Sequence, residues 1–259
     1  MSENTTKEQP KKQSQYPSEF IDLPSEGKLY PEGSPLRDGK IEIKYMTAKE
    51  EDILTSQNLI KKGVVIDQLL NSLILTPGIT VSDLYVGDKN AIMVAARILA
   101  YGADYKVDIL DPTTGDILEE QSFNLSELEY RKFPKELDIT ENKFFMTLPV
   151  SKAEIEFKLL FGKDETAINK ELESFKKINE NRDITTRLRY MITSVNGDTD
   201  TSTINNFVNN MLARDSLAFR VYWSELGPDI ILEQKVITKG GDEVTVDIPM
   251  TTNFFWPSQ

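Results

Sequence analysis

The sequence predicts an α+β protein: two pseudo-repeated helix–helix–β-ribbon units flank a central β-hairpin and helix, behind a disordered N-terminal tail. Three observations carry this. Ile66, Leu69, Leu70 and Leu73 fall at i, i+3, i+4, i+7, one apolar face of a helix, and the pattern returns as Leu188, Met191, Ile192 and Val195, an offset of 122. An Asp-x-x-Ala-apolar segment then occurs twice, Asp88-Lys89-Asn90-Ala91-Ile92 and Asp215-Ser216-Leu217-Ala218-Phe219, at an offset of 127. In each copy a glycine, Gly102 or Gly227, closes the second helix before a strand–turn–strand ribbon begins.

Residues 1–19 hold nothing aliphatic after Met1 and are rich in Ser, Thr, Gln, Lys and Glu, the composition of a disordered tail. Residues 20–62 form an arm, a strand and a short helix. Pro24, Gly27, Pro31, Gly33, Pro35 and Gly39 break regular structure, so the arm is extended and turned, with Ile21, Leu23 and Tyr30 as apolar pegs. Residues 40–46 alternate polar and apolar, a half-buried strand. Thr47-Ala48-Lys49-Glu50 is a capping box that starts a helix over 48–55.

The first repeat, 63–125, ends in strands 105–110 and 117–123 around the turn Asp111-Pro112-Thr113-Thr114-Gly115. The central module, 126–182, holds strands 142–149 and 153–161. A helix over 164–180 follows, with Ile168, Leu172, Phe175 and Ile178 on one face. The second repeat, 183–249, closes with strands 230–237 and 244–248 around Lys239-Gly240-Gly241-Asp242. In the final segment, 250–259, the adjacent aromatics Phe254, Phe255 and Trp256 cannot all face one core by strand alternation. Some of them must pack beneath the domain or into another chain.

Composition removes several functions. The chain has 259 residues, no cysteine and no histidine, which excludes thiolate zinc sites, cysteine nucleophiles and Ser-His-Asp catalysis. Its 30 basic and 42 acidic residues leave a net charge of −12, which opposes non-specific nucleic-acid binding. No apolar stretch is long enough to span a membrane, and no secretory signal is expected, since the basic residues near Met1 have no apolar run behind them. Asp88 and Asp215 are the one candidate acid pair; as structural groups they would cap or kink their helices, with Arg97 or Arg220 as a partner for Asp215. No cofactor or metal is expected: the ribbon tips hold no soft ligand, and Gly240-Gly241 lacks phosphate-loop spacing. The remaining candidates are interface anchors, Leu23, Pro24, Gly27 and Tyr30 in the arm and Phe254, Phe255, Trp256 and Pro257 at the C-terminal end.

Five segments in order, LPSEGKLYP, KIEIKYMTAKEEDILTSQNLIKKGVVIDQLL, GDKNAIMVAARILAYG, FMTLPVSKAEIEFKLLFGKDE and FFWP, span residues 23–257. Together they resemble the baseplate hub assembly family of T-even-type contractile-tailed bacteriophages, with YMTAKEEDIL and FFWP the most specific. That family tends to carry C-x-x-C pairs at its ribbon tips. Here Asp111-Pro112-Thr113-Thr114 and Lys239-Gly240-Gly241-Asp242 stand instead, so no metal-binding property carries over. The family has no established catalytic residues to transfer. The resemblance implies a non-enzymatic morphogenesis protein made in the host bacterial cytoplasm, with other tail or hub proteins, or the tape-measure protein, as partners and neither nucleic acid nor membrane. It would either stay in the virion as a hub component or act as a transient chaperone and leave. The rivals from other classes are a nucleic-acid-binding ribbon protein and a hydrolase built on Asp88 and Asp215.

Overall fold

The computed structural model describes residues 16–137, 139–238, 240–250 and 252–255, and its elements run twice through one order. Strands β1 (Ser18–Asp22) and β2 (Lys40–Lys44) form an antiparallel hairpin with Ser18 opposite Lys44. Alternation turns Ile41 and Ile43 inward, where both are fully buried. The Leu23 N–H closes the long loop on the Gly39 carbonyl at 2.8 Å. Helix α1 (Ala48–Thr55) starts at the capping box with the predicted bounds. Its Glu50 carboxylate accepts from the Thr47 N–H at 3.0 Å, the Thr47 hydroxyl at 2.6 Å and the Lys44 ammonium at 2.7 Å. After α2 (Gln57–Lys61), α3 (Val65–Leu73) buries Val65, Leu69, Leu70 and Leu73. Ile74 then bridges back to Ile43, a 3-10 turn spans Val81–Asp83, and α4 (Val86–Tyr101) leads into the ribbon β3 (Asp104–Leu110) and β4 (Ile117–Asn124).

A short strand, β5 (Tyr130–Arg131), precedes the second pass. Strands β6 (Phe144–Thr147) and β7 (Glu154–Phe157) form its hairpin. Helices α5 (Gly162–Lys176) and α6 (Asp183–Met191), strand β8 (Ile192–Val195), and helices α7 (Thr201–Asn209) and α8 (Ala213–Leu226) follow. Strand β9 (Asp229–Ile230) pairs with β5, and β10 (Glu233–Ile237) with β11 (Glu243–Asp247) makes the second ribbon.

The repeat is therefore longer than the apolar pattern implies. The hairpin and helix expected as a separate central module are the counterpart of β1, β2 and α1. Leu23-Pro24-Ser25 matches Leu148-Pro149-Val150-Ser151, and Leu148 N–H closes its loop on the Ala153 carbonyl at 2.9 Å, as Leu23 does on Gly39. The Lys44–Glu50 ion pair recurs as Lys158–Asp164, both at 2.7 Å.

The structure changes three expectations. Ile192 and Val195, expected on a helix face, lie in β8: α6 stops at Met191, and the β-branched run that follows pairs with β7, Phe157 opposite Ile192. The true match is Leu70 with Leu188, since the next turn's cap, Ile74 or Ile192, donates its N–H to that leucine's carbonyl. Ser18 and Glu19, assigned to the tail, and Phe20 to Asp22, assigned to the arm, are strand residues because β2 offers them a paired edge. Residues 1–15 of the expected tail lie outside the described residues.

One hydrophobic core runs through both halves, including Ile43, Leu69 and Ile92 from the first and Phe157, Leu188 and Phe219 from the second. The halves join where the start of α4 meets the start of α5. The Val86 N–H donates to the Leu160 carbonyl at 3.1 Å, and the Gly162 N–H to the Leu84 carbonyl at 2.8 Å. A Cβ on Gly162 would sit 2.2 Å from the Val81 carbonyl oxygen, and one on Gly87 would sit 2.0 Å from that of Pro228. The repeat-equivalent positions carry Ala48 and Arg214, side chains where this junction has none. Gly162→Ala and Gly87→Ala should each lower unfolding free energy in urea by about 1–3 kcal/mol or more, the cost of overpacking against backbone. A loss below about 0.5 kcal/mol at either glycine would show that the junction is looser than this packing requires.

Candidate interaction site

Six of the eight residues expected to engage a partner, Leu23, Pro24, Gly27, Tyr30, Phe254 and Phe255, are buried within the chain itself. Asp88, in the first turn of α4, is fully buried and accepts three hydrogen bonds from the arm. They come from the Ser25 N–H at 2.9 Å, the Ser25 hydroxyl at 2.6 Å and the Tyr30 hydroxyl at 2.7 Å. Tyr30 Oη also accepts from the Tyr85 N–H at 3.1 Å, and its ring meets Phe161 edge-on at 5.7 Å. Leu23, Pro24, Gly27 and Tyr30 are all buried. The expectation that they dock onto a neighbouring subunit is corrected: Asp88 gives the arm an anchor within its own domain.

Asp215 holds the equivalent place in α8. It accepts from the Val150 N–H at 2.7 Å and the Ser151 N–H at 2.9 Å, the loop of the second hairpin, and neither Arg97 nor Arg220 is its partner. Each aspartate thus takes up the Leu-Pro loop of its own half, and each carboxylate is engaged by a different loop. Their electrostatics differ. Burial pushes Asp88 up to about 6 against the bonds from Ser25 and Tyr30, and the charge of Asp229 adds to the rise. At Asp215 burial acts upward too, but the Ser151 and Val150 N–H groups outweigh it and hold the carboxyl below the ordinary aspartate value.

The aromatic C-terminal segment is also internal. Phe254 and Phe255 are fully buried in a one-turn 3-10 helix, Thr252–Phe255. Phe254 meets Tyr105 edge-on at 5.0 Å, and its carbonyl accepts from buried Arg97 Nε at 3.0 Å. These two phenylalanines are core residues, a correction to their expected interface role; Trp256 and Pro257 lie outside the described residues. At the first ribbon's tip, Asp111 accepts from the Thr113 N–H at 2.8 Å and so closes its own turn. Among the described residues no three carboxylates are grouped to hold a metal ion, and no helix is long and apolar enough to cross a membrane.

Apolar surface that does face solvent lies elsewhere. On α8, Leu217 is 55% exposed and Val221 45%, one turn apart, with Leu212 at the helix start and Tyr222 beside them. The matching face of α4 is covered: Val94, equivalent to Val221, is buried, and β9 lies along that helix with Asn90 bonded to Asp229 at 3.1 Å. Sequence reasoning missed this face. Its signal was present, because Leu217 and Val221 stand opposite Phe219 and make α8 apolar on two sides. A second exposed region is formed by the outer surfaces of the two ribbons, where Leu110 and Ile117 face each other across strands. Compared with protein-family models, curated proteins and solved structures, the chain matches none.

Two outcomes follow from this geometry. Native Asp88 takes up its proton near pH 6 and the unfolded chain near the ordinary 3.8, so between those values the native state holds more protons. The contribution of Asp88 to stability is therefore greatest below about pH 4 and is lost as pH rises through 6, a swing of about 3 kcal/mol. Asp88→Asn, which stands in for the protonated acid, should remove that component from the Tm–pH curve; an unchanged curve would place the titration elsewhere. Phe255→Ala should cost about 3–5 kcal/mol in chemical unfolding. A loss under about 1 kcal/mol would return the segment to the surface.

Proposed function

We propose that this chain is a non-catalytic assembly protein of the central baseplate hub of a contractile-tailed phage, acting through protein–protein contacts. The resemblance names the assembly, and the outer face of α8 carries the mode of action. That face repeats a surface which, one repeat earlier, is covered by β9, and it presents Leu217 and Val221 to solvent. Half-exposed apolar side chains on a helix favour burial against a partner by about 25 cal/mol per Å² removed from water. The anchors proposed for contact thus move from the arm and the C-terminal aromatics to α8.

The test is complementation of an infection with the chain carrying Leu217→Asp and Val221→Asp. The variant should melt within a few degrees of the parent, since both side chains are solvent-facing, yet co-purify with hub proteins roughly tenfold less. Parental yields of phage and of hub complex would reject the contact role of this face. Counting the chain in purified virions separates the two forms of the proposal: a fixed number per tail makes it a hub component, and abundance in lysate alone makes it a chaperone.

A further inference from the structure

The two ribbons stand side by side, and a cleft of about 420 Å³ opens between β3 and β11, lined by Asp108, Ile109 and Leu110 on one side and Thr245, Val246 and Asp247 on the other. Among the described residues neither strand is paired along this side, since β3 is bonded there to β4 alone and β11 to β10 alone. The phase of each ladder says which backbone groups face the cleft. In the second ribbon, Thr238 N–H donates to the Asp242 carbonyl at 2.8 Å and Ile248 N–H to the Leu232 carbonyl at 3.0 Å. Alternation then turns the backbone groups of Val244 and Val246 towards β10 and those of Thr245 and Asp247 outward.

In the first ribbon, Leu125 N–H to the Ala103 carbonyl at 2.9 Å and Asp111 N–H to the Asp116 carbonyl at 2.8 Å fix the phase at both ends. Tyr105, Val107 and Ile109 therefore bond to β4, and Asp108 and Leu110 turn outward. The two ends agree across the irregularity at Glu119 and Glu120, whose extra N–H, that of Glu120, is taken by Asp108 Oδ1 at 2.8 Å. The outward-facing Asp108, Leu110, Thr245 and Asp247 all line the cleft, together with Ile109, Val246, Pro112 and Pro249. Side chains of the opposite phase, Ile109 and Val246, are buried and form its apolar floor.

The charge is one-sided. Residues 104–124 and 233–247 carry ten acidic and three basic side chains, so the ribbons hold −7 of the chain's net −12. Leu110, at the lip, is 65% exposed. Two unpaired edges, an apolar floor and acidic walls match an extended polypeptide with alternating apolar and cationic side chains, and repel a phosphate backbone.

We propose that this cleft takes an extended, lysine- or arginine-bearing segment of a partner protein, which adds as a strand between β3 and β11. The inference rests on the reading that the chain works by protein contact, but its surface is distinct from α8. The probe is a short capped peptide of alternating lysine and valine, titrated against the full chain at low salt, with a glutamate–valine peptide as the control. Expected are saturable binding by fluorescence anisotropy, weakening as salt rises, and slowed amide exchange at Thr245, Asp247 and Leu110. Thr245→Pro deletes an outward N–H without touching the β10 ladder, and Asp247→Lys reverses a wall charge; each should weaken binding roughly tenfold. If the proline disturbs the ribbon, the charge reversal alone decides.

Equal binding of the glutamate peptide, affinity untouched by Asp247→Lys, or protection on α8 in place of the ribbons would overturn the proposal. Those results would leave hub co-purification through Leu217 and Val221 standing. Loss of hub co-purification on α8 substitution together with intact peptide binding keeps both readings, and peptide binding with no hub phenotype at α8 keeps this one alone.

Discussion

Each half of the molecule depends on one buried aspartate that collects the N–H groups of a distant loop. Asp88 holds Ser25, 63 residues away, and Asp215 holds Val150 and Ser151, 65 and 64 residues away. A loop carrying Pro24 or Pro149 cannot enter a ladder, and its backbone donors would be costly to bury unpaired. The carboxylate at the head of the helix supplies the acceptors, so the hairpin and the long helix of each half are locked together. Once that lock is made, Leu23 and Leu148 are drawn inside, and the first hairpin's arm becomes part of the core.

The same lock explains why the two halves are not interchangeable. Tyr30 links Asp88 to Tyr85 and Phe161, so the first lock also reaches into the second half. At that junction backbone meets backbone, and only glycine at 87 and 162 permits the approach. The equivalent positions of the other half carry Ala48 and Arg214, which have side chains where this junction has none. Helix α4 is enclosed on both sides while α8, its copy, is covered on one. The asymmetry creates an apolar helical surface that the fold itself does not use.

That asymmetry also gives physical content to the proposed assembly role. The two surfaces proposed for partners, the outer face of α8 and the acidic ribbon pair, differ in chemistry. The first offers aliphatic side chains on a rigid helix, the second unpaired strand edges in a negative field. The buried arm and the buried phenylalanines contribute by making the platform rigid, which lowers the entropy lost when a partner docks.

The sequence by itself determined what depends on residues a few positions apart. The Thr47–Glu50 capping box placed α1 at Ala48–Thr55, the leucine spacing placed α3, and the Gly and Pro residues at the tips placed both ribbons. It also showed that Asp88 and Asp215 are equivalent, because the surrounding motif is local. Tertiary structure decided the rest. Ile192 and Val195 satisfy a helical period but form β8 because β7 has a free edge beside them. Leu23, Tyr30, Phe254 and Phe255 have the composition of interface anchors, and their burial follows from where Asp88 and Arg97 stand in three dimensions. Leu217 and Val221 look like a second core face and are exposed because the covering strand of the first repeat has no counterpart over α8. Periodicity and capping chemistry report on neighbours within a turn or two, whereas which apolar face is covered depends on contacts more than a hundred residues apart along the chain, such as Arg97 with Phe254.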